Sequence, residues 1–189
     1  MNRSCQTVLV ALALALASAA ASAQQVNGTV NGTVGITGQV TNFSCTLGPI
    51  PAGDNVFDLG VLIDTSTGRL RSDLSVPPKT ISGSFCNARS VITVSATRMR
   101  AQSFSGSLPS GFSNAVDYQA TASGWTDTPA VYATGSVSNT AASQIQPLPF
   151  TGDITISLSD FTTTGGNLLR LVSDPLYQGT VTVTLTVAS

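Results

Sequence analysis

The sequence predicts an all-β fold, a sandwich of two antiparallel sheets, and three observations predict it. Apolar and polar residues alternate with a period of two in several separate stretches, most regularly near the two ends of the chain. Gly, Pro, Asn and Asp punctuate these stretches, and no segment after residue 23 carries the spacing of an amphipathic helix. Composition agrees: all nine acidic residues are Asp, there is no Glu and no His, Lys79 is the only lysine, and Thr, Ser, Val and Gly abound.

Taken in order, the chain opens with Arg3 followed by an uncharged apolar run from Val8 to Ala21, then Ala21-Ser22-Ala23, a small-x-small cleavage site. Residues 1–23 therefore read as a secretory leader, too short in its apolar run for the roughly 20 residues that span a bilayer. An exported chain with no membrane span in its mature part follows, and Cys5 leaves with the leader. What remains is long enough for one domain with its own core. Its two cysteines, Cys45 and Cys86, are an even count for an oxidising compartment, so one disulfide is expected. Closing a loop of about 40 residues, it would constrain the unfolded chain by about 4 kcal/mol.

Val26 to Val40 reads VNGTVNGTVGITGQV. Val26, Gly28, Val30, Gly32, Val34, Ile36, Gly38 and Val40 form one apolar or glycine face, and the alternate positions are Asn, Thr or Gln apart from Gly35. The spacing predicts one extended strand with one buried face, far longer than the usual five or six residues; the alternative is a solvated N-terminal tail, which has no reason to keep so strict an alternation. The Asn-Gly pairs at 27–28 and 31–32 stand too close together to be two hairpin turns with a strand between them. The VNGT repeat is likewise too short for a solenoid. Such a strand needs a groove, in this molecule or in another. Residues 24–37 are expected to serve as an extension and 38–189 as the domain, with Gly38 to Cys45 its first strand.

Val56 to Val61 follows as a strand with Phe57, Leu59 and Val61 on one face. Residues 64–80, with DTSTG and Pro77-Pro78, read as a surface loop. Thr80 to Cys86 and Val91 to Ala96 are strands, the second with Ile92, Val94 and Ala96 inward. The middle, residues 98–146, offers only Ala115 to Ala120 and Ala130 to Thr134, with Trp125 and Tyr132 as large aromatics. Beyond Pro149, Ile154, Ile156 and Leu158 alternate with Thr155, Ser157 and Ser159, and Asn167 to Val172 is a short apolar piece that packs as a loop. The last strand carries Tyr177, Gly179, Val181, Val183, Leu185 and Val187 on one face, with Thr between most of them.

Composition and motif argue against several function classes. With no histidine there is no Ser-His or Cys-His pair and no imidazole metal ligand, and both mature cysteines are committed to a disulfide. Ile63-Asp64-Thr65-Ser66 resembles the D-[TS]-G turn of aspartic proteases only weakly, because the glycine is displaced to Gly68 and no second copy exists. The aspartates are scattered rather than set out as a calcium loop. No catalytic residue, no metal site and no cofactor is expected, so the chain is read as not an enzyme. A net charge of −1 with no basic cluster beyond Arg98 and Arg100 argues against nucleic acid as a partner.

The run Gly32-Thr33-Val34-Gly35-Ile36-Thr37-Gly38-Gln39-Val40-Thr41-Asn42-Phe43-Ser44-Cys45 resembles the N-terminus of pilins from chaperone-usher fimbriae of the type 1 kind. Asp58-Leu59-Gly60-Val61 is similar to their short L-G-x-V strand, Cys86 lies where their second cysteine lies, and TVTVTLTV resembles their last strand and that of spore coat U-like subunits. The chain departs from them in ending Val187-Ala188-Ser189, where type 1-like pilins carry an aromatic residue next to last.

The resemblance implies an immunoglobulin-like sandwich lacking its final strand. An acceptor groove then lies beside Tyr177, Val181, Val183, Leu185 and Val187. A donor strand made of Val26, Gly28, Val30, Gly32, Val34 and Ile36 fills the groove of a neighbour. It implies a periplasmic chaperone and an outer-membrane usher as partners in transit, head-to-tail pilin neighbours in a surface fimbrium, and a host or surface receptor of unknown kind. The rival reading is a self-contained secreted sandwich that binds a ligand, with Trp125, Tyr118 and Tyr132 as a carbohydrate platform.

Overall fold

The computed structural model describes residues 37–40, 42–53 and 55–188. The chain divides into two units, Met1–Gln39 and Val40–Ser189. Of the first, only residues 37–39 are described, exposed and without regular structure. The expected donor positions Val26, Gly28, Val30, Gly32, Val34 and Ile36 lie outside the described residues.

The second unit is all-β, with no helix among the described residues. Among the described residues twelve strands, numbered in chain order, form three sheets. The seven-stranded sheet runs β1 (Cys45–Thr46), β2 (Lys79–Cys86), β9 (Phe150–Thr163), β6 (Ala115–Ser123), β4 (Met99–Ala101) and β11 (Tyr177–Gln178), with β7 (Ala130–Ala133) also on β6. The three-stranded sheet is β12 (Val181–Val187), β3 (Ser90–Ala96) and β8 (Ser143–Gln146). Both are antiparallel throughout. A small parallel pair, β5 (Phe112–Ser113) with β10 (Arg170–Leu171), stands apart.

Period-two alternation becomes a core drawn from both larger sheets. Ile81, Tyr118, Ile154 and Ile156 come from the seven-stranded sheet and Ile92 and Val94 from the three-stranded one. Trp125, fully buried between β6 and β7, stands edge-on to Phe150 with centroids 5.1 Å apart. Its indole N–H donates to the buried Ser90 Oγ at 3.2 Å, which satisfies its one polar group. A second polar fixture holds the other end of β6. The Asp117 carboxylate accepts from Thr134 Oγ1 at 2.9 Å and Thr164 Oγ1 at 2.6 Å, and Arg98 Nε lies 3.2 Å from its Oδ1. Strands β4 and β7 take successive stretches of one edge of β6, while β9 takes the other.

Cys45 and Cys86 form the expected disulfide, Cα to Cα 4.1 Å, opposite one another in the β1–β2 ladder. Three expected strands differ from what forms. Of the expected first strand, Gly38 to Cys45, the described residues before Cys45 form no strand, because the β2 ladder ends at Cys86 and beyond it Asn87 N–H donates to the Ser44 carbonyl at 3.0 Å. Asn87 substitutes for it: its Oδ1 accepts from Ser44 N–H at 2.7 Å and its Nδ2 donates to the Asn42 carbonyl at 2.9 Å. Val56 to Val61 is no strand either. Gly60 has φ +63°, and Asp58 Oδ1 accepts its N–H at 2.9 Å, so the backbone turns where the pattern alternates. Finally, the last alternating run is two strands, since β11 pairs with β4 and β12 with β3. The middle also contains β4, β5 and β8, which its composition did not announce.

Candidate functional site

The alternation of β12 decides the character of its edge. Val181, Val183, Leu185 and Val187 are half-buried while Thr182, Thr184 and Thr186 are exposed. Thr97 N–H donates to the Thr180 carbonyl at 2.9 Å just before the strand, and Ala188 N–H donates to the Arg89 carbonyl at 2.9 Å just after it. In an antiparallel ladder of this register the even-numbered residues turn their backbone groups toward β3, and the odd-numbered ones turn theirs away. The four apolar residues thus present both their side chains to the core face and their N–H and C=O groups to the outer edge. Among the described residues β12 pairs with β3 alone.

A cleft of about 670 Å3 opens at the Val181 end of this edge. Phe57, Leu59, Ile81, Met99, Tyr118 and Val181 are among its walls. Phe57 and Leu59 keep the inward sense their spacing announced, but as a half-buried loop rim rather than a strand. Lys79 Nζ sits 6.0 Å above the Phe57 ring at the rim. Tyr177 also lines the cleft, from β11 in the other sheet, and donates its hydroxyl to the Val172 carbonyl at 2.8 Å. Of the five expected groove positions, the structure therefore places Val181, Val183, Leu185 and Val187 on one edge strand and Tyr177 on a separate one.

Sequence reasoning named Tyr118 only as part of a sugar platform and passed over Thr97 and Thr180; the three meet at one end of the edge. Tyr118 is buried, and its hydroxyl reaches the Thr97 carbonyl at 2.9 Å and the Thr180 carbonyl at 3.1 Å. Burial pushes its phenol up to about 12. The available signal was Gly179, a glycine inside an otherwise regular strand pattern, which marks a break or a close backbone approach.

The remaining candidates resolve simply. Tyr118 and Trp125 are core residues and Tyr132 is half-buried against them, so these three aromatics do not make an exposed sugar platform. Asp64 is exposed in a turn, where Ser66 donates to its Oδ1 from its hydroxyl at 2.6 Å and from its N–H at 2.7 Å. Those donors hold its carboxyl below the usual range. No helix long and apolar enough to cross a membrane occurs among the described residues. Comparison with family models, with characterised proteins and with solved structures gives no match for this chain.

Proposed function

We propose that this chain is a structural subunit of a surface fimbrium, an incomplete immunoglobulin-like sandwich that polymerises by strand donation after chaperone-usher secretion. The observation that carries the reading is the edge of β12. Four apolar residues there are half-buried with their backbone groups turned outward, and the same sequence contains, at residues 26–36, a segment with the complementary alternation. An exposed edge of this kind is a template for another strand.

The occupant we assign is the 24–37 extension of a second copy. Burying Val26, Val30, Val34 and Ile36 would contribute about 6 to 12 kcal/mol before ordering costs. Gly28 and Gly32 suit places where the groove is shallow and backbones approach closely. The contact is head-to-tail and does not close, so repetition yields a filament. During export a periplasmic chaperone covers the edge and an outer-membrane usher releases it; no chemistry is catalysed. Deleting residues 24–37 tests the reading: the full chain is expected to give detergent-resistant, heat-labile oligomers and the deletion none. Unchanged polymerisation would exclude it.

A further inference from the structure

We propose that Arg69, Arg170 and Phe112 form a binding site for an acidic carbohydrate, the two guanidiniums taking its carboxylate or sulfate and the phenyl ring taking the face of the sugar. The site begins with a local rule that the fold breaks. Like charges set directly opposite one another across strands are destabilising, yet Arg69 and Arg170 are antiparallel partners. Leu171 N–H donates to the Gly68 carbonyl at 3.3 Å, which makes Arg69 and Arg170 the narrow, non-hydrogen-bonded kind of pair, whose side chains stand closest. Where a sequence breaks such a rule with no compensating partner, a function is the expected reason.

Among the described residues neither arginine has a carboxylate within ion-pair distance. The two nearest in sequence to Arg69 are engaged elsewhere. Asp73 accepts from Arg71 at 2.9 and 2.8 Å, and Arg71 also donates to the Val61 carbonyl at 3.3 Å. Asp64, whose N–H donates to the Arg69 carbonyl at 2.9 Å across the hairpin, has its Oδ1 taken by Ser66.

Three adjacent segments assemble the row. The hairpin closed by Ile63 and Leu70 brings Arg69 to Arg170 of β10, and β10 pairs in parallel with β5, which sets Phe112 beside Arg170. Their chain neighbours Leu171 and Ser113 are buried, whereas Arg69, Arg170 and Phe112 are all exposed, so the three share the solvent face. Gly68, at φ +69°, leaves room for the stem of Arg170, since a Cβ there would lie 3.3 Å from Arg170 Cδ. Arg170 Nε donates to the Thr67 carbonyl at 3.0 Å, which fixes the guanidinium and leaves its two terminal nitrogens for a ligand.

A guanidinium fork suits an oxyanion, and an anion between two of them also relieves their mutual repulsion. Phe112 lies two strand spacings from Arg69, about 10 Å. An anionic group seated between the arginines therefore leaves the ring that carries it over the phenyl face, where an exposed aromatic offers apolar area for stacking. Two cations are too few to hold a nucleic acid or an anionic membrane by charge alone. The site is built from β5, β10 and the 63–70 hairpin rather than from β12, so it is independent of strand donation.

Retention of the full chain on immobilised polymers tests the site. Heparin and hyaluronan are the probes, dextran is the neutral control, and poly-glutamate carries carboxylates with no sugar ring. Retention on heparin or hyaluronan, and on neither control, is the expected result. Binding to hyaluronan shows that a carboxylate suffices, and binding to heparin alone assigns the sulfate. Arg69→Gln and Arg170→Gln should each weaken binding about tenfold, as loss of a charged hydrogen-bonding partner does. Phe112→Ala should weaken it severalfold and Phe112→Tyr should preserve it. Arg71→Gln removes the same charge from the same hairpin and should leave retention unchanged. Folding is checked by the Cys45–Cys86 bridge and by melting, and Arg170→Lys, which keeps the charge but loses the fork, repeats the test if a glutamine variant does not fold. Equal retention on poly-glutamate, an Arg71→Gln loss as large as that of Arg69→Gln, or indifference to Phe112→Ala would reduce the row to nonspecific charge and overturn the site. Retention on neither polysaccharide overturns it outright.

Discussion

Strands β6 and β12 are both built mainly of small, apolar and hydroxyl side chains, yet they end in opposite circumstances. β6 lies inside its sheet, with β9 on one edge and β4 and β7 on the other, and Ala115, Val116, Tyr118, Ala120 and Ala122 are buried. β12 has β3 on one edge, and its apolar residues Val181, Val183, Leu185 and Val187 stay half-buried. Composition does not separate them; position in the sheet does. An apolar row flanked on both edges is core, and an apolar row flanked on one edge is a surface that a further strand can cover.

Stability experiments can break this comparison, starting with the largest effect. Replacing Cys45 and Cys86 together by Ser frees β1 from the protected sheet, and about 4 kcal/mol should be lost in urea unfolding. A loss under about 1 kcal/mol would mean that the β1–β2 ladder holds without the bridge. Next in size is Ile154→Ala beside Val183→Ala. Ile154 is fully buried, so its truncation should cost about 3 kcal/mol in the isolated subunit. Val183→Ala should cost about 1 kcal/mol there, because its side chain is only half-buried. Detergent-resistant oligomers should respond in the reverse order, falling with Val183→Ala and persisting with Ile154→Ala below its melting temperature. Equal effects in both assays would erase the distinction between the two strands.

Asp117→Ala probes the polar fixture that lets β6 carry a carboxylate inside the sheet. Removing it takes the carboxylate from Arg98, which keeps its bond to the Thr134 carbonyl at 3.3 Å, and leaves the Thr134 and Thr164 hydroxyls without their acceptor. Because the Arg98 side chain is about a third exposed, the cost should be about 2 kcal/mol, below that of a fully buried pair. Urea unfolding at neutral pH measures it, and a change within about 0.5 kcal/mol would show the network to be dispensable.

How much of this was legible in the residues depends on what each residue had to report. Ile92 and Val94 and Ile154 and Ile156 announced their strands, because a period of two over a buried face has one structural solution. Cys45 and Cys86 announced their bridge by count. Val56 to Val61 misled, since the alternation of Phe57 and Leu59 is real but Gly60 bends the backbone before a ladder can form. The run from Tyr177 to Val187 misled in a related way. Its side-chain period continues through Gly179, whereas its hydrogen-bonding partners change from β4 to β3. Partner choice is a long-range property that no local pattern encodes. For the same reason the short strands β4 and β8 were invisible: Met99–Ala101 and Ser143–Gln146 are strands because of the neighbours they meet. The candidate site was half legible, its valines by pattern and its Tyr118 corner not at all.

The smallest expected effect tests that corner directly. Burial pushes the phenols of Tyr118 and Tyr177 up to about 12, with the charge of Asp174 adding to the second. An unfolded tyrosine titrates near 10. Between these values the folded chain holds protons that the unfolded chain has released. The stability the two phenols confer is therefore complete below pH 10 and is lost as pH rises through about 12. Thermal melting followed across that window should fall more gently in Tyr118→Phe than in the native chain, the two curves differing by the slope of one proton. Tyr177→Phe should flatten the curve in the same way, but only Tyr118→Phe removes the hydroxyl that reaches both Thr97 and Thr180. An alkaline slope identical in all three proteins would mean that neither phenol is held neutral by the fold. The Thr180 end of β12 would then be held by its hydrogen bonds to Thr97.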